Sequence, residues 1–194
     1  MRKDFYLFRH GETELNRQKR WQGSGMDYDL NEVGVRQAEG LLAKLQDRKL
    51  EIIFSSPLIR ARHTAEVVAG SLGLPVIVRE NLRECCYGEA EGQTVADLEK
   101  RFPEILNNWC NPDEKYLDIC FPGGESKKKA RDRVLKELDT LAVEPYQVVA
   151  VAIHGGTMGQ LLNYYHVPYD KIPNCAALHF VYENGHWSAE SGIF

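Results

Sequence analysis

The chain has 194 residues, 43% hydrophobic and 27% charged, enough for one substantial core and not the composition of a disordered chain. A net charge of −4 argues against general nucleic-acid binding, because phosphate backbones are held mainly by excess Lys and Arg, and leaves room for a local cationic pocket. No apolar run approaches the ~20 residues of a membrane helix and the first residues lack the pattern of a signal peptide, so a cytoplasmic protein with no membrane partner is expected.

In chain order, 4–8 reads as a buried strand that stops at Arg9-His10-Gly11-Glu12-Thr13, and 11–30 reads as a long polar loop. Asn31 caps a helix carrying Val35, Ala38, Leu41, Leu42 and Leu45 at helical spacing. A short strand, 52–55, precedes Ser56-Pro57, which reads as cap and first position of a helix reaching Leu72 and ended by Gly73 and Pro75. Strand 76–78 follows, then an irregular acidic stretch from Asn81 to Gly92. Thr94 caps a short helix that Pro103 interrupts, and loop returns over 111–124. Ser126 opens a basic amphipathic helix with Ala130, Val134, Leu138 and Leu141 on one face. Residues 148–153 are the most apolar run and end in His154-Gly155-Gly156. A helix over 157–166 and two strands, 177–182 and 186–189, paired as a hairpin at Glu183-Asn184-Gly185, complete the chain.

Strands alternating with helices predict an α/β protein with a mainly parallel sheet. No repeat or linker divides it, so one domain over 1–194 is expected, with 81–124 as a covering insertion.

His10 and His154 each follow a buried strand and precede glycine, so a parallel sheet can bring both to one crevice at the carboxyl ends of its strands. Arg9 adjoins His10, and Arg60 sits near the start of the helix after 52–55, at the same end. Two guanidiniums and two imidazoles meeting there would bind an anion, and phosphate fits best. An imidazole can take a phosphoryl group covalently, leaving a proton to be supplied to the departing alkoxide by Glu84, Glu89 or Glu91. Cys85, Cys86, Cys110, Cys120 and Cys175 form no CxxC pair, so reduced thiols and no metal are expected. Lys127-Lys128-Lys129 point in different directions on a helix and read as a solvated face. His63, His166, His179 and His186 read as structural.

Arg9 to Thr13, Asn16, Gln22-Gly23, Leu30, Gly34, Gln37-Ala38, Ser55 to Leu58 with Arg60, Leu82 with Glu84, Gly88, Glu91-Gly92, Pro122 to Ser126 and His154-Gly155 occur in one order. That series resembles the histidine phosphatase superfamily, the phosphoglycerate-mutase-like group, over nearly the whole chain. The resemblance implies a three-layer α/β/α sandwich. It implies His10 as the nucleophile, Arg9, Arg60 and His154 as the phosphate clamp, and Glu84 as general acid and then base. Asn16, Gln22, Gly23 and Gly155 would complete the phosphate pocket. No metal and no cofactor are implied.

The mutases of that group carry paired arginines after a tryptophan, where this chain has Cys110 and Asn111 after Trp109, and they extend further at the carboxyl end. Both departures favour hydrolysis of a small phosphorylated metabolite, such as α-ribazole 5′-phosphate, a phosphoglycerate, a sugar phosphate or a nucleotide monophosphate. A phosphoglycerate mutase and a non-catalytic phosphate-binding or protein-interaction module are the alternatives. The sequence assigns no oligomeric state.

Overall fold

The computed structural model describes residues 2–194. The chain runs through β1 (Arg2–Arg9), α1 (Glu14–Arg17), α2 (Glu32–Leu45), β2 (Ile52–Ser55), α3 (Ile59–Leu72) and β3 (Val76–Val78). It continues through α4 (Val95–Arg101), α5 (Pro103–Trp109), α6 (Lys127–Ala142), β4 (Val148–Ile153), α7 (Gly155–Tyr164), β5 (Ala177–Glu183) and β6 (His186–Ser191).

The strands form one six-stranded sheet in the order β3-β2-β4-β1-β5-β6. β1, β2, β3 and β4 pair in parallel, while β5 runs antiparallel to both β1 and β6. Successive side chains on a strand face opposite ways, and here both faces are apolar. Phe5 and Leu7 therefore join Val134, Leu138, Met158 and Leu161 of α6 and α7 in one core. Tyr6 and Phe8 join Ala38, Leu41, Ala65 and Val68 of α2 and α3 in the other. Each fully buried large side chain contributes roughly 1.5–3 kcal/mol, so these two layers hold the sheet rigid from both sides. No helix among the described residues is long and apolar enough to cross a membrane.

A third apolar cluster gathers Tyr87, Leu98, Trp109 and Phe121 from the segment between β3 and α6 around Trp21. Pro103 splits its helical stretch as the sequence predicts: Phe102 ends α4 and precedes α5 with extended φ and no side-chain cap. The hairpin also forms, with Asn184 and Gly185 both at positive φ as a two-residue turn requires.

Four local expectations change. The polar loop contains α1, whose Thr13 and Asn16 make a reciprocal capping box; four residues are too few for a period to reveal. α3 starts at Ile59, not at Pro57, because the Asp27 carboxylate accepts from the Ile59 N–H at 2.7 Å and Ser56 is drawn elsewhere. α7 starts two residues early, at Gly155, and ends at Tyr164, since His166 turns to φ 54°. Lys127 is buried, not solvated: its ammonium donates to the carbonyls of Asn108 (3.0 Å) and Asn111 (2.6 Å) at the end of α5.

The turn after β1 rests directly on α2. A Cβ at Gly11 would stand 2.4 Å from the Gly34 carbonyl oxygen, and one at Gly34 would strike the backbone of Glu12. Gly34→Ala is expected to lower unfolding free energy by about 2 kcal/mol in urea titration, because backbone must move on both sides. An unchanged midpoint would contradict this packing.

Candidate active site

Arg9 and Ile153 are register partners on β1 and β4, so His10 and His154 leave adjacent strands at the same level. Their rings lie 5.2 Å apart. The His10 Nδ1 is 2.7 Å from the Gly11 carbonyl, which can only accept; Nδ1 therefore carries the proton and Nε2 keeps a free lone pair. The Gly11 N–H donates to Thr64 Oγ1 at 3.0 Å, fixing the turn against α3.

Ser56, at the end of β2, reaches His154 instead of capping α3. Its Oγ is 2.7 Å from His154 Nε2 and accepts from the Leu58 N–H at 3.3 Å. Among the described residues the Ser56 hydroxyl has no other acceptor for its proton, which therefore goes to Nε2 and leaves the ring proton on Nδ1.

Arg60 extends from the first turn of α3 and is fully buried. Its Nη1 and Nη2 donate to the carbonyls of Met26 (3.0 Å) and Gly23 (3.2 Å). Arg9 donates through Nη1 to the Ile172 carbonyl. Among the described residues, the buried side-chain nitrogens with no hydrogen-bond partner are Arg9 Nε, Arg60 Nε, Arg133 Nε and His154 Nδ1. Buried donors are normally paired, so three such nitrogens on the residues that surround His10 ask for an acceptor.

The three candidate acids separate. Glu84 accepts from the N–H groups of Gly156 (2.9 Å), Thr157 (3.0 Å) and Cys85 (2.9 Å), which sets its carboxyl against the amino end of α7. Glu89 forms an exposed ion pair with Arg101, and Glu91 braces the loop through the N–H groups of Tyr87 and Gly25. A Cβ at Gly156 would collide with the Tyr87 hydroxyl and stand 2.7 Å from Glu84 Oε1, so only glycine lets this carboxyl approach.

A cleft of about 300 Å³ opens over Arg9, His10, Asn16, Gln22, Glu84 and Gly155. Asn16 is held by Asn174 Nδ2 (3.2 Å), and Gln22 Oε1 accepts from the Thr13 hydroxyl (2.6 Å). Gly23 does not line the cleft; its carbonyl holds Arg60. Arg60 and His154 are wholly buried and do not line it either. Sequence reasoning missed Arg20, Trp21, Tyr87, Gln160, Tyr169 and Asp170, which form the walls from four separate parts of the chain. Of these only Tyr87 lies in the covering stretch 81–124, whose aromatic residues were the available signal; burial pushes its phenol well above the usual pKa, so it stays a neutral donor. All five cysteines are free thiols.

The family model of the histidine phosphatase superfamily (branch 1) matches residues 5–192. Phosphoserine phosphatase 1 of Hydrogenobacter thermophilus is 34% identical over 149 residues, covering 76% of this chain and 69% of that protein. The phosphoglycerate mutase of Bacillus anthracis superposes with a TM-score of 0.87 at 25% identity, covering 98% of this chain and 92% of that one. The mycobacterial glucosyl-3-phosphoglycerate phosphatase superposes with a TM-score of 0.82 at 25% identity and 97% coverage of both chains.

Burial, reinforced by the Arg60 charge, holds both imidazoles well below their ordinary value of 6.5. Below pH 6.5 the unfolded chain therefore takes up protons that the folded one refuses, so stability present above that pH is lost as pH falls through it. Urea unfolding between pH 7 and pH 5 is expected to show a loss of up to about 1.4 kcal/mol per pH unit for each imidazole. His154→Gln should remove about half of that slope, and a wild-type slope of zero in this window would contradict the assignment.

Proposed function

Since the chain belongs to the histidine phosphatase superfamily (branch 1) and is a phosphatase, we propose that it hydrolyses small phosphomonoesters through a phosphohistidine at His10. The observation that carries this reading is the set of unpartnered buried nitrogens, Arg9 Nε, Arg60 Nε and His154 Nδ1, around a histidine whose Nε2 lone pair is free. Three phosphoryl oxygens supply the acceptors those donors lack.

In the first half-reaction His10 Nε2 attacks phosphorus and the bond from phosphorus to the ester oxygen breaks. Glu84, in its carboxylic acid form, gives its proton to that departing oxygen. In the second, the Glu84 carboxylate takes a proton from water, the water oxygen attacks phosphorus, and the P–N bond breaks to return His10 and phosphate. Charge on the transferring group is met by the Arg9 and Arg60 guanidiniums, and this electrostatic contribution is the largest, because the transition state is loose and asks mainly for position and neutralisation. No metal enters any step.

Hydrolysis is favoured over phosphoryl return to a bound product by the wall after Trp109. Cys110 lies there in place of a guanidinium, and the wall's Arg20 is tied to the Gly92 carbonyl (2.6 Å) and Gln18 Oε1 (3.2 Å). The cleft volume of about 300 Å³ suits a phosphoryl group with a leaving group of metabolite size, such as a phosphorylated sugar, nucleoside or hydroxy acid.

Turnover of a nitrophenyl phosphate in the presence of chelator is expected, together with a base-stable, acid-labile phosphoprotein after denaturing quench of radiolabelled substrate. His10→Ala should abolish the label and lower kcat by more than roughly a thousandfold. Phosphate binding without turnover in the unaltered protein would instead mark a binding module. Interconversion of 2- and 3-phosphoglycerate faster than phosphate release would mark a mutase.

A further inference from the structure

Arg133 lies on α6, outside the cleft, and its side chain is only 11% exposed. The stretch it faces, between β3 and α4, has no regular ladder. It holds two single 3₁₀ turns, Glu80–Leu82 and Gly88–Ala90, so many of its carbonyls need donors from elsewhere. One guanidinium supplies them. Its Nη1 donates to the carbonyls of Asn81 (2.6 Å) and Arg83 (2.9 Å), and its Nη2 to the carbonyl of Glu84 at 3.4 Å.

The same Nη2 pairs with Glu125 Oε1 at 2.6 Å. Glu125 in turn closes on the far side of Glu84: its Oε1 accepts from the Cys86 N–H at 3.0 Å, and its own N–H donates to the Cys86 carbonyl at 2.9 Å. The backbone on both sides of Glu84 is thus gripped by one ion pair. That pair is anchored by α6, whose Val134 and Leu138 are fully buried in the sheet core. Neither partner is hydrogen-bonded to the Glu84 carboxyl, which instead meets the amino end of α7.

We propose that Arg133 and Glu125 form a positioning clamp that sets the Glu84 carboxyl at the distance from the leaving oxygen that proton transfer needs. The proposal rests on the reading of Glu84 as the proton donor. A donor must come within about 2.6–3.2 Å of the atom it protonates, and a displacement near 1 Å costs about a hundredfold. Glu84 sits in a segment with no helix or strand of its own to hold such a tolerance. The clamp transfers the rigidity of α6 to it.

A clamp of this kind predicts a loss that depends on the leaving group. Nitrophenolate departs without a proton, whereas the alkoxide of glycerol phosphate needs one. kcat/KM reports the first half-reaction, in which that proton is given, and is the quantity to compare. Glu84→Gln is the control, expected to lose about a hundredfold on glycerol phosphate and less than about tenfold on nitrophenyl phosphate. Arg133→Gln should reproduce that split, with about a thirtyfold loss on glycerol phosphate and less than about threefold on nitrophenyl phosphate. Arg133→Lys, which keeps the charge but reaches fewer carbonyls, should fall between.

Equal losses on both substrates, or none, in Arg133→Gln while Glu84→Gln splits them would overturn the clamp and leave Glu84 in its role. No split in either variant would overturn the role of Glu84 and the clamp with it. Should Arg133→Gln fail to fold by circular dichroism, Glu125→Gln carries the same comparison. It is expected to show the same split at about a third of the size, and equal losses on the two substrates would overturn the proposal.

Discussion

Two guanidiniums gathered at one end of a sheet, Arg60 wholly buried and Arg9 half-buried in the cleft wall, are the constraint on which the rest of this structure depends. Arg9 and Arg60 are both lowered from their ordinary pKa by burial. Burying a cation costs several kcal/mol even after relaxation. The fold offsets this with main-chain carbonyls, those of Ile172, Met26 and Gly23. The two imidazoles cannot add to the positive charge, and they remain neutral. What is left over is a set of donors aimed at an anion, with an unprotonated nucleophilic nitrogen among them.

That arrangement requires a rigid support, and the sheet supplies it through register. β2, β4 and β1 are parallel neighbours, so Ser56, His154 and His10 emerge from their ends side by side. Apolar layers on both faces leave these ends no freedom to slide, because a slip of one residue would turn every buried side chain to the wrong layer. Glycines then remove the side chains that would hold the parts away from one another, as at Gly156 between α7, Tyr87 and Glu84.

The features that were legible in the sequence are those written in local order. A buried strand ending in His-Gly occurs twice, and the apolar run marks both, so the sequence alone places His10 and His154 in one crevice. Arg60 was legible from its distance after a short strand. Ser56 was misread because Ser-Pro before a helix has the form of a cap, and only the neighbouring strand reveals His154 as its partner. Lys127 was misread for the same reason: three successive lysines look solvated until α5 brings two carbonyls to the first of them. Tyr87, Tyr169 and Arg133 act across long stretches of chain, through contacts that no periodicity records. The choice among Glu84, Glu89 and Glu91 needed α7, which supplies two backbone donors to the first and none to the others.

Calorimetric titration with orthovanadate, which presents the oxygens of a transferring phosphoryl group, reads the donor set around His10 directly. One vanadate should bind per chain, with affinity at least roughly tenfold weaker in Arg60→Met, since a buried charge-assisted hydrogen bond is worth about 1.5–3 kcal/mol. Absence of binding, or equal affinity in the unaltered protein and Arg60→Met, would contradict that donor set.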